Sequence, residues 1–406
     1  MFTRIYSFLL RLAAVFGMAL MIFGPALSGL PVSAQDATPD EASGELEELR
    51  FFLSYIPNIQ FSPLYVTAAK GYFAERGLNV VIEHGDENVG VEQIAVGTVP
   101  FGIISGEQVI LARANERPVV YVYEWFNQYP VAAVISSTVP ATTFAELEGY
   151  RVGIPGFFGA NYTGLTALLN ASDLTESDIQ IESIGYNAPD VLCIGAVDAA
   201  VVYLNNEPLQ IQKRIDAGDC GDVTGITVLP VSDDVNLVSN GIVTNEQILA
   251  ERPELVDAVV RAFDAGLQDT INNPAEAYLL SVDYVDGLPL SDALAELLAD
   301  LAEEQAAFLE TLPDREAIAA SREALLETVR EAIPADDIVQ FEVMMETVLL
   351  WDSDALGISD DAAWEATQDI LVQIGGLKES IDLGMAYTND YVPQPEVEGI
   401  DGGADQ

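Results

Sequence analysis

Residues 153–164 read GIPGFFGANYTG, so Phe157, Phe158 and Tyr162 share a glycine-punctuated turn with Asn161. Flat rings can sandwich a planar heterocycle, while side-chain amides and carboxylates can answer its ring nitrogens and amino groups. The same mixture recurs along the chain. IPNIQFSPLY (56–65) carries Asn58, Gln60, Phe61 and Tyr65; SGEQ (105–108) carries Glu107 and Gln108; EWFNQYP (124–130) carries Trp125, Phe126, Asn127 and Gln128. GYNAP (185–189) adds Tyr186 and Asn187, YLNNEP (203–208) adds Tyr203, Asn205 and Glu207, and SDDVN (232–236) follows. Core packing is the competing use of any single ring, so the recurrence carries the binding-site reading. None of these stretches holds Lys or Arg, which disfavours a phosphate-bearing ligand.

Catalysis has less to draw on. The one histidine, His84, lies in IEHGDEN and reads as a surface-loop residue next to acids. No nucleophile elbow, Walker A or dinucleotide fingerprint occurs. Cys193 and Cys220 are the only cysteines, too few for a disulfide scaffold or a cysteine-based zinc site. A single disulfide between them and two buried thiols both stay open. No catalytic residue, metal or cofactor is expected.

The elements around these stretches place them at strand ends. LRFFLSY, NVVIE, PFGIIS and RPVVYVYEWF read as strands, and SPLYVTAAKGYFAERGL, VGVEQIAVG and GEQVILARANE as helices between them. From about 131 to 229 the alternation repeats through YRVGIPG, YTGLTALLNASD, DIQIESIG, APDVLCIGA, VDAAVVY and EPLQIQKRIDAG. Alternating β and α units build mostly parallel sheets, whose carboxyl ends line a crevice where ligands bind. Two such lobes meeting along a cleft are expected. The boundaries read as 48–130 for the first part of lobe I, 131–229 for lobe II and 230–288 for the return to lobe I. A helical insertion covers 289–350, and 351–406 supplies C-terminal helices and a tail packing on lobe I. The insertion has Leu and Ala at helical steps with breaks at Pro313 and Pro334, so its helices should pack onto the globule; a short coiled-coil arm is the alternative.

The chain has 406 residues, 16 Lys and Arg against 65 Asp and Glu, and a formal charge of −49. Its start, with Arg4, Arg11, an apolar run and VSA before Gln35, has the grammar of a secretory signal covering 1–34. Cleavage there removes two arginines and no acid, taking the charge to −51. A flexible acidic tether (35–47) follows. A surface this acidic repels nucleic acid. The chain is expected to be exported, to the periplasm or cell surface, and to act as a monomer.

Several segments resemble the substrate-binding proteins of ABC importers for aliphatic sulfonates and thiamine pyrimidines, which have the type II periplasmic-binding fold. SPLYVTAAKGYFAERGLNVVIEHGDEN is similar to the opening segment of that family. VPFGIISGEQVILARANERPVVYV and TTFAELEGYRVGIPG resemble its next two, and AYTNDYVP resembles its closing one. The resemblance implies two mostly parallel α/β lobes joined by hinge strands near 130 and 230, with hinge closure over the ligand. It also implies an ABC permease as membrane partner. YLNNEP is similar to the stretch whose glutamate receives the ligand's amino group in thiamine-pyrimidine binders, which points to Glu207. The unusually aromatic GFFGANY widens the expected ligand from a thiamine-pyrimidine precursor to a flavin-like vitamin. Two alternatives stand beside this. One is a pyrimidine-precursor biosynthetic enzyme on the same fold, whose fungal members use a cysteine-rich motif and an active histidine that are missing here. The other is an extracellular solute sensor using the 289–350 helices as its partner surface.

Overall fold

The computed structural model describes residues 46–393. The expected signal (1–34), most of the expected tether and the final stretch of the tail lie outside the described residues. Glu47, assigned above to the tether, is already the first residue of a strand.

Lobe I begins with β1 (Glu47–Ser54), α1 (Ser62–Ala69), β2 (Leu78–Gly85), α2 (Glu87–Ala95), β3 (Phe101–Ser105), α3 (Gly106–Ala114) and β4 (Val119–Glu124). The chain crosses into lobe II with β5 (Val131–Ser136), β6 (Arg151–Ile154), α4 (Gly159–Ala171), β7 (Gln180–Ser183), α5 (Ala188–Cys193), β8 (Ala199–Tyr203), α6 (Glu207–Asp216) and β9 (Ile226–Pro230). It returns through β10 (Asn240–Asn245), α7 (Glu246–Glu251), α8 (Pro253–Asn272) and α9 (Pro274–Ser281). Four more helices follow: α10 (Asp292–Leu309), α11 (Arg315–Ala332), α12 (Val339–Trp351) and α13 (Asp361–Gln373).

The sheet orders are β2-β1-β3-β10-β4 and β7-β6-β8-β5-β9. Each sheet has four strands running one way and one reversed, β10 in the first and β5 in the second. The reversed strands are the two that the chain enters directly from the other lobe. A strand joined to its parallel neighbour needs a crossover helix; one that arrives straight across the cleft runs antiparallel. Both sheets therefore turn their carboxyl ends toward the same gap.

Helix boundaries follow local chemistry. Asn273 ends α8, and its side chain accepts from Glu276 N to cap α9 ahead of Pro274. Ser291 and Asp314 cap α10 and α11 in the same way. Gly266 lets α8 lie close on α1, because a Cβ there would stand 2.0 Å from Thr67 Oγ1. Cys193 and Cys220 are joined in a disulfide with their Cα atoms 4.3 Å apart.

Leu294, Leu298, Leu325, Val329, Phe341 and Met344, from α10 to α12, are buried in one core with Phe263, Tyr278 and the β1 residues Phe51 and Leu53. Their apolar faces are spent inside lobe I, which leaves no seam for a coiled-coil arm. The extension also touches lobe II. Lys213 of α6 donates to the Ala335 carbonyl and lies 3.5 Å from Glu342, and α13 packs against both α3 and α4. Asn170 on α4 donates to Gln373 on α13 at 2.5 Å.

Trp351, at the end of α12, is fully buried and stacks on Trp125, centroids 5.5 Å apart. Trp351→Ala should cost about 3–5 kcal/mol in urea unfolding, whereas Leu349→Ala, on the exposed side of the same helix, should cost less than about 0.5 kcal/mol.

Candidate functional site

A cavity opens between the lobes where the strand ends face one another. Lobe I and the first crossing contribute Ser54, Tyr55, Gln60, Phe61, Glu87, Trp125, Phe126 and Asn240. Lobe II contributes Pro155, Phe158 to Asn161, Gly185, Tyr186, Ala188, Val201 to Tyr203, Asn206 and Glu207. Gly159 opens α4 with φ +67°, a left-handed conformation that favours glycine, and so turns the end of β6 into the helix that forms the floor.

The walls are aromatic. Trp125 lies between Trp351 and Phe61, the latter with its centroid 5.7 Å away and tilted by 32°. Across the gap, Tyr55 of lobe I and Tyr186 of lobe II meet edge to face at 4.8 Å. Tyr55 has φ +129°, a conformation that strains a residue with a side chain. The polar groups between the rings are mostly held. Asn161 donates to Val201 O at 3.0 Å, Tyr203 donates to Asn240 Oδ1 at 3.2 Å, and Glu207 accepts from Tyr203 N and Asn206 Nδ2 at 3.0 Å each. Trp125 Nε1 is buried with no hydrogen-bond partner among the described residues.

Nine of the residues anticipated from sequence line this cavity: Gln60, Phe61, Trp125, Phe126, Phe158, Asn161, Tyr186, Tyr203 and Glu207. The others do not. Asn58 caps the short turn at Ile59–Phe61 by accepting from Gln60 N. Tyr65 is core, stacked on Tyr284 at 4.9 Å and hydrogen-bonded to His84. Glu107 and Gln108 are buried in the first turn of α3. Asn127 is exposed, its backbone N bonded to Leu350 O. Phe157 is 56% exposed and pairs with Tyr162, whose hydroxyl donates to Glu176. Asn187 precedes α5 on the surface. Asn205 is buried behind the wall, donating to Gln60 Oε1 and Thr347 Oγ1. His84 is no loop residue: it sits half-buried in β2, within reach of Tyr65 Oη and the Tyr55 carbonyl.

The first turn of α2 brings Glu87 into the wall. Its Oε1 accepts from Ser105 N at 2.8 Å and Ser105 Oγ at 2.7 Å. Burial pushes Glu87 upward, and these hydrogen bonds oppose the shift. Glu107 stands 0% exposed with both carboxylate oxygens unpartnered among the described residues; burial and then the Glu87 charge push it up to about 8. Burial raises Glu207 to about 7. No Lys, Arg or His is among the described residues that line the cavity.

With this geometry in place, residues 58–277 match the family described as NMT1/THI5 like. The chain belongs to that family. A riboflavin-binding protein, RibY, of Chloroflexus aurantiacus is 31% identical over 89% of this chain and 91% of its own. A formylaminopyrimidine-binding protein of Halalkalibacterium halodurans is 29% identical over 59% of this chain and 71% of its own. A 4-amino-5-hydroxymethyl-2-methylpyrimidine phosphate synthase of Legionella pneumophila is 24% identical over 56% and 71%. Among solved structures, the ligand-binding component of an ABC-type import system of Staphylococcus aureus shares the fold, with a TM-score of 0.57, 8% identity and coverage of 85% and 98%.

In this NMT1/THI5-like chain, sequence reasoning missed Tyr55, Glu87 and Asn240. Tyr55 directly follows β1 and Glu87 opens α2 two residues after β2, positions that could have flagged them; Asn240 begins a reversed strand and gave no signal. Among the described residues no helix is long and apolar enough to cross a membrane.

Glu107 and Glu124 are raised to about 8 and Glu207 to about 7, against an ordinary 4.5. Between these limits the folded chain keeps protons that the unfolded chain has lost. Stability from these groups is full below about pH 4.5 and is lost as pH rises toward 8. The melting temperature at fixed ionic strength should fall from pH 5.5 to pH 8.5, and Glu107→Gln should flatten that slope.

Proposed function

We propose that the chain is the exported substrate-binding component of an ABC importer and that its ligand is a flavin-like, planar nitrogen heterocycle. The observation that carries this is one cavity walled from both lobes by Tyr55, Phe61, Trp125, Phe126, Phe158, Tyr186 and Tyr203. Rings on opposing lobes can sandwich a flat tricycle, with acceptors at Glu87 and Glu207 for its N–H groups and the unpartnered Trp125 N–H for a carbonyl. The name of the riboflavin-binding relative, matched over nearly the whole chain, supports the flavin in particular. Ligand bound to one lobe would stabilise closure by contacts with the other. The Tyr55–Tyr186, Tyr203–Asn240 and Asn205–Gln60 contacts run from lobe to lobe and would support such closure. The permease would read that state. A monomer suffices for this role, since both walls come from one chain.

A thiamine-pyrimidine ligand is the second reading, favoured by Glu207 at the matching position and by the formylaminopyrimidine-binding relative. An enzyme on this fold is less well supported, because the one histidine, His84, is held outside the cavity wall by Tyr65 and Tyr55. A sensor that offers the 289–350 helices to a partner is disfavoured by the burial of their apolar faces in lobe I.

Native mass spectrometry and absorbance of the freshly purified protein test the ligand: a yellow adduct of flavin mass is expected, and a small ultraviolet-absorbing adduct would replace the flavin by the pyrimidine. Phe158→Ala should weaken riboflavin binding by roughly 1–3 kcal/mol in calorimetry, while Phe157→Ala should leave it unchanged. Equal losses at both would move the site out of the cavity.

A further inference from the structure

Resting on the reading of the cavity as a heterocycle site, we infer that the helical extension sets the hydrogen-bond polarity of that site: through Thr347 and Asn205 it turns the Gln60 amide so that its nitrogen end, and not its carbonyl, meets the ligand. A side-chain amide donates at one end and accepts at the other. Which end faces a cavity is decided by what holds the opposite end.

The hold on Gln60 is a relay of bonds with one consistent direction. In α12, Thr347 Oγ1 spends its proton on the Val343 carbonyl at 2.5 Å. That leaves the oxygen as an acceptor, and Asn205 Nδ2 of lobe II donates to it at 2.6 Å. The same nitrogen donates to Gln60 Oε1 at 3.0 Å. Gln60 Oε1 is thereby consumed, while its Nε2 has no hydrogen-bond partner among the described residues and keeps open surface on a residue that lines the cavity. Asn205 and Thr347 are 1% and 0% exposed, so bulk water does not compete for the relay. Asn205 Oδ1 is itself buried without a partner among the described residues, a cost the fold carries to keep the nitrogen where it is.

Asn240 shows the same polarity. The Tyr203 hydroxyl donates to its Oδ1 at 3.2 Å, and its Nδ2 is left without a partner among the described residues. In both places a lobe II donor takes the oxygen of a lobe I amide, so the meeting of the lobes leaves N–H groups for the ligand. Lobe I therefore asks for an acceptor at Gln60, a carbonyl or an unprotonated ring nitrogen. A ligand offering an N–H there would leave two donors unpaired, and that mismatch discriminates between ligand edges. Thr347 lies outside the 58–277 stretch that matches the family. Without its hydroxyl, Asn205 would be free to swing Oδ1 toward Gln60, which would then turn its carbonyl to the ligand.

A double-mutant cycle read by calorimetry tests this on the mature chain, with riboflavin and 4-amino-5-hydroxymethyl-2-methylpyrimidine as probes. For the probe that binds, Gln60→Met, which keeps the length of the side chain without its donor, should weaken binding roughly 10- to 100-fold. Thr347→Val should weaken it by a similar factor. Combined, the two should cost little more than either alone, because each removes the same Gln60 N–H contact. Thr347→Ser retains the hydroxyl and should retain the full effect of Gln60→Met. A Thr347 that only supports the fold would give losses that multiply, and that outcome overturns the inference, as does either single variant binding like the wild type; both leave the heterocycle site standing. A wild type that binds neither probe overturns the site itself and this inference with it. If Thr347→Val fails to fold, nuclear magnetic resonance of the wild type with isotope-labelled glutamine decides. The Gln60 side-chain N–H signals, assigned by their loss in Gln60→Met, must move when the probe binds, and unmoved signals overturn the inference.

Discussion

Everything at the site depends on two direct passages of the backbone between lobes, after β4 and after β9. Each delivers a strand that runs against its four neighbours, so neither sheet needs a crossover helix at that place. The outcome is geometric: two sheets of matching order with their carboxyl ends turned to one gap. Loops separated by up to about 190 residues in sequence, from Ser54 to Asn240, then contribute to one wall. The first passage is itself part of that wall, since Trp125 and Phe126 belong to it and Tyr129 anchors it to the first turn of α4 by donating to Ala160 O at 2.8 Å.

The helical extension braces this arrangement. Trp351 stacks behind Trp125, and Thr347 on the same helix accepts from Asn205, which also donates to Gln60. A lobe II side chain is thereby tied to a cavity residue of lobe I and to α12 at a single buried point. α13 adds a second tie, because Thr367 accepts from the backbone N of Val238 in the return passage. Any motion of one lobe against the other must break or slide these bonds, so such motion would be coupled to the extension as well as to the two passages.

Charge is distributed unevenly between surface and site. The surface acids are largely solvated, and such exposed ion pairs as Arg252–Glu47 and Arg261–Asp257 contribute little. Inside, a different regime applies. Glu87 and Glu207 line a cavity with no cation among its described lining residues, Glu107 is buried beside them, and burial raises each of the three. The arrangement is costly to an ionised carboxylate and favourable to a ligand that brings N–H donors.

Periodicity alone was enough to read the α/β alternation and the strand ends as the place for a ligand, because period-2 and period-3.6 patterns are local properties of neighbouring residues. The mixture of rings, amides and carboxylates past those strand ends marked Phe61, Trp125, Phe158, Tyr186 and Glu207, all of which line the cavity. It could not separate Phe158 from Phe157, since adjacent residues at a turn point in opposite directions only once the helix start is set by Gly159. Nor could it tell that Tyr65 and Asn205 are consumed by core and inter-lobe contacts, or that Glu87 joins the cavity wall. Those outcomes depend on which surfaces become neighbours across two lobes. Sequence determined the kinds of side chain available and the elements that carry them; tertiary structure decided which of them share a wall, because distance through space between loops is set only when both sheets have closed and packed.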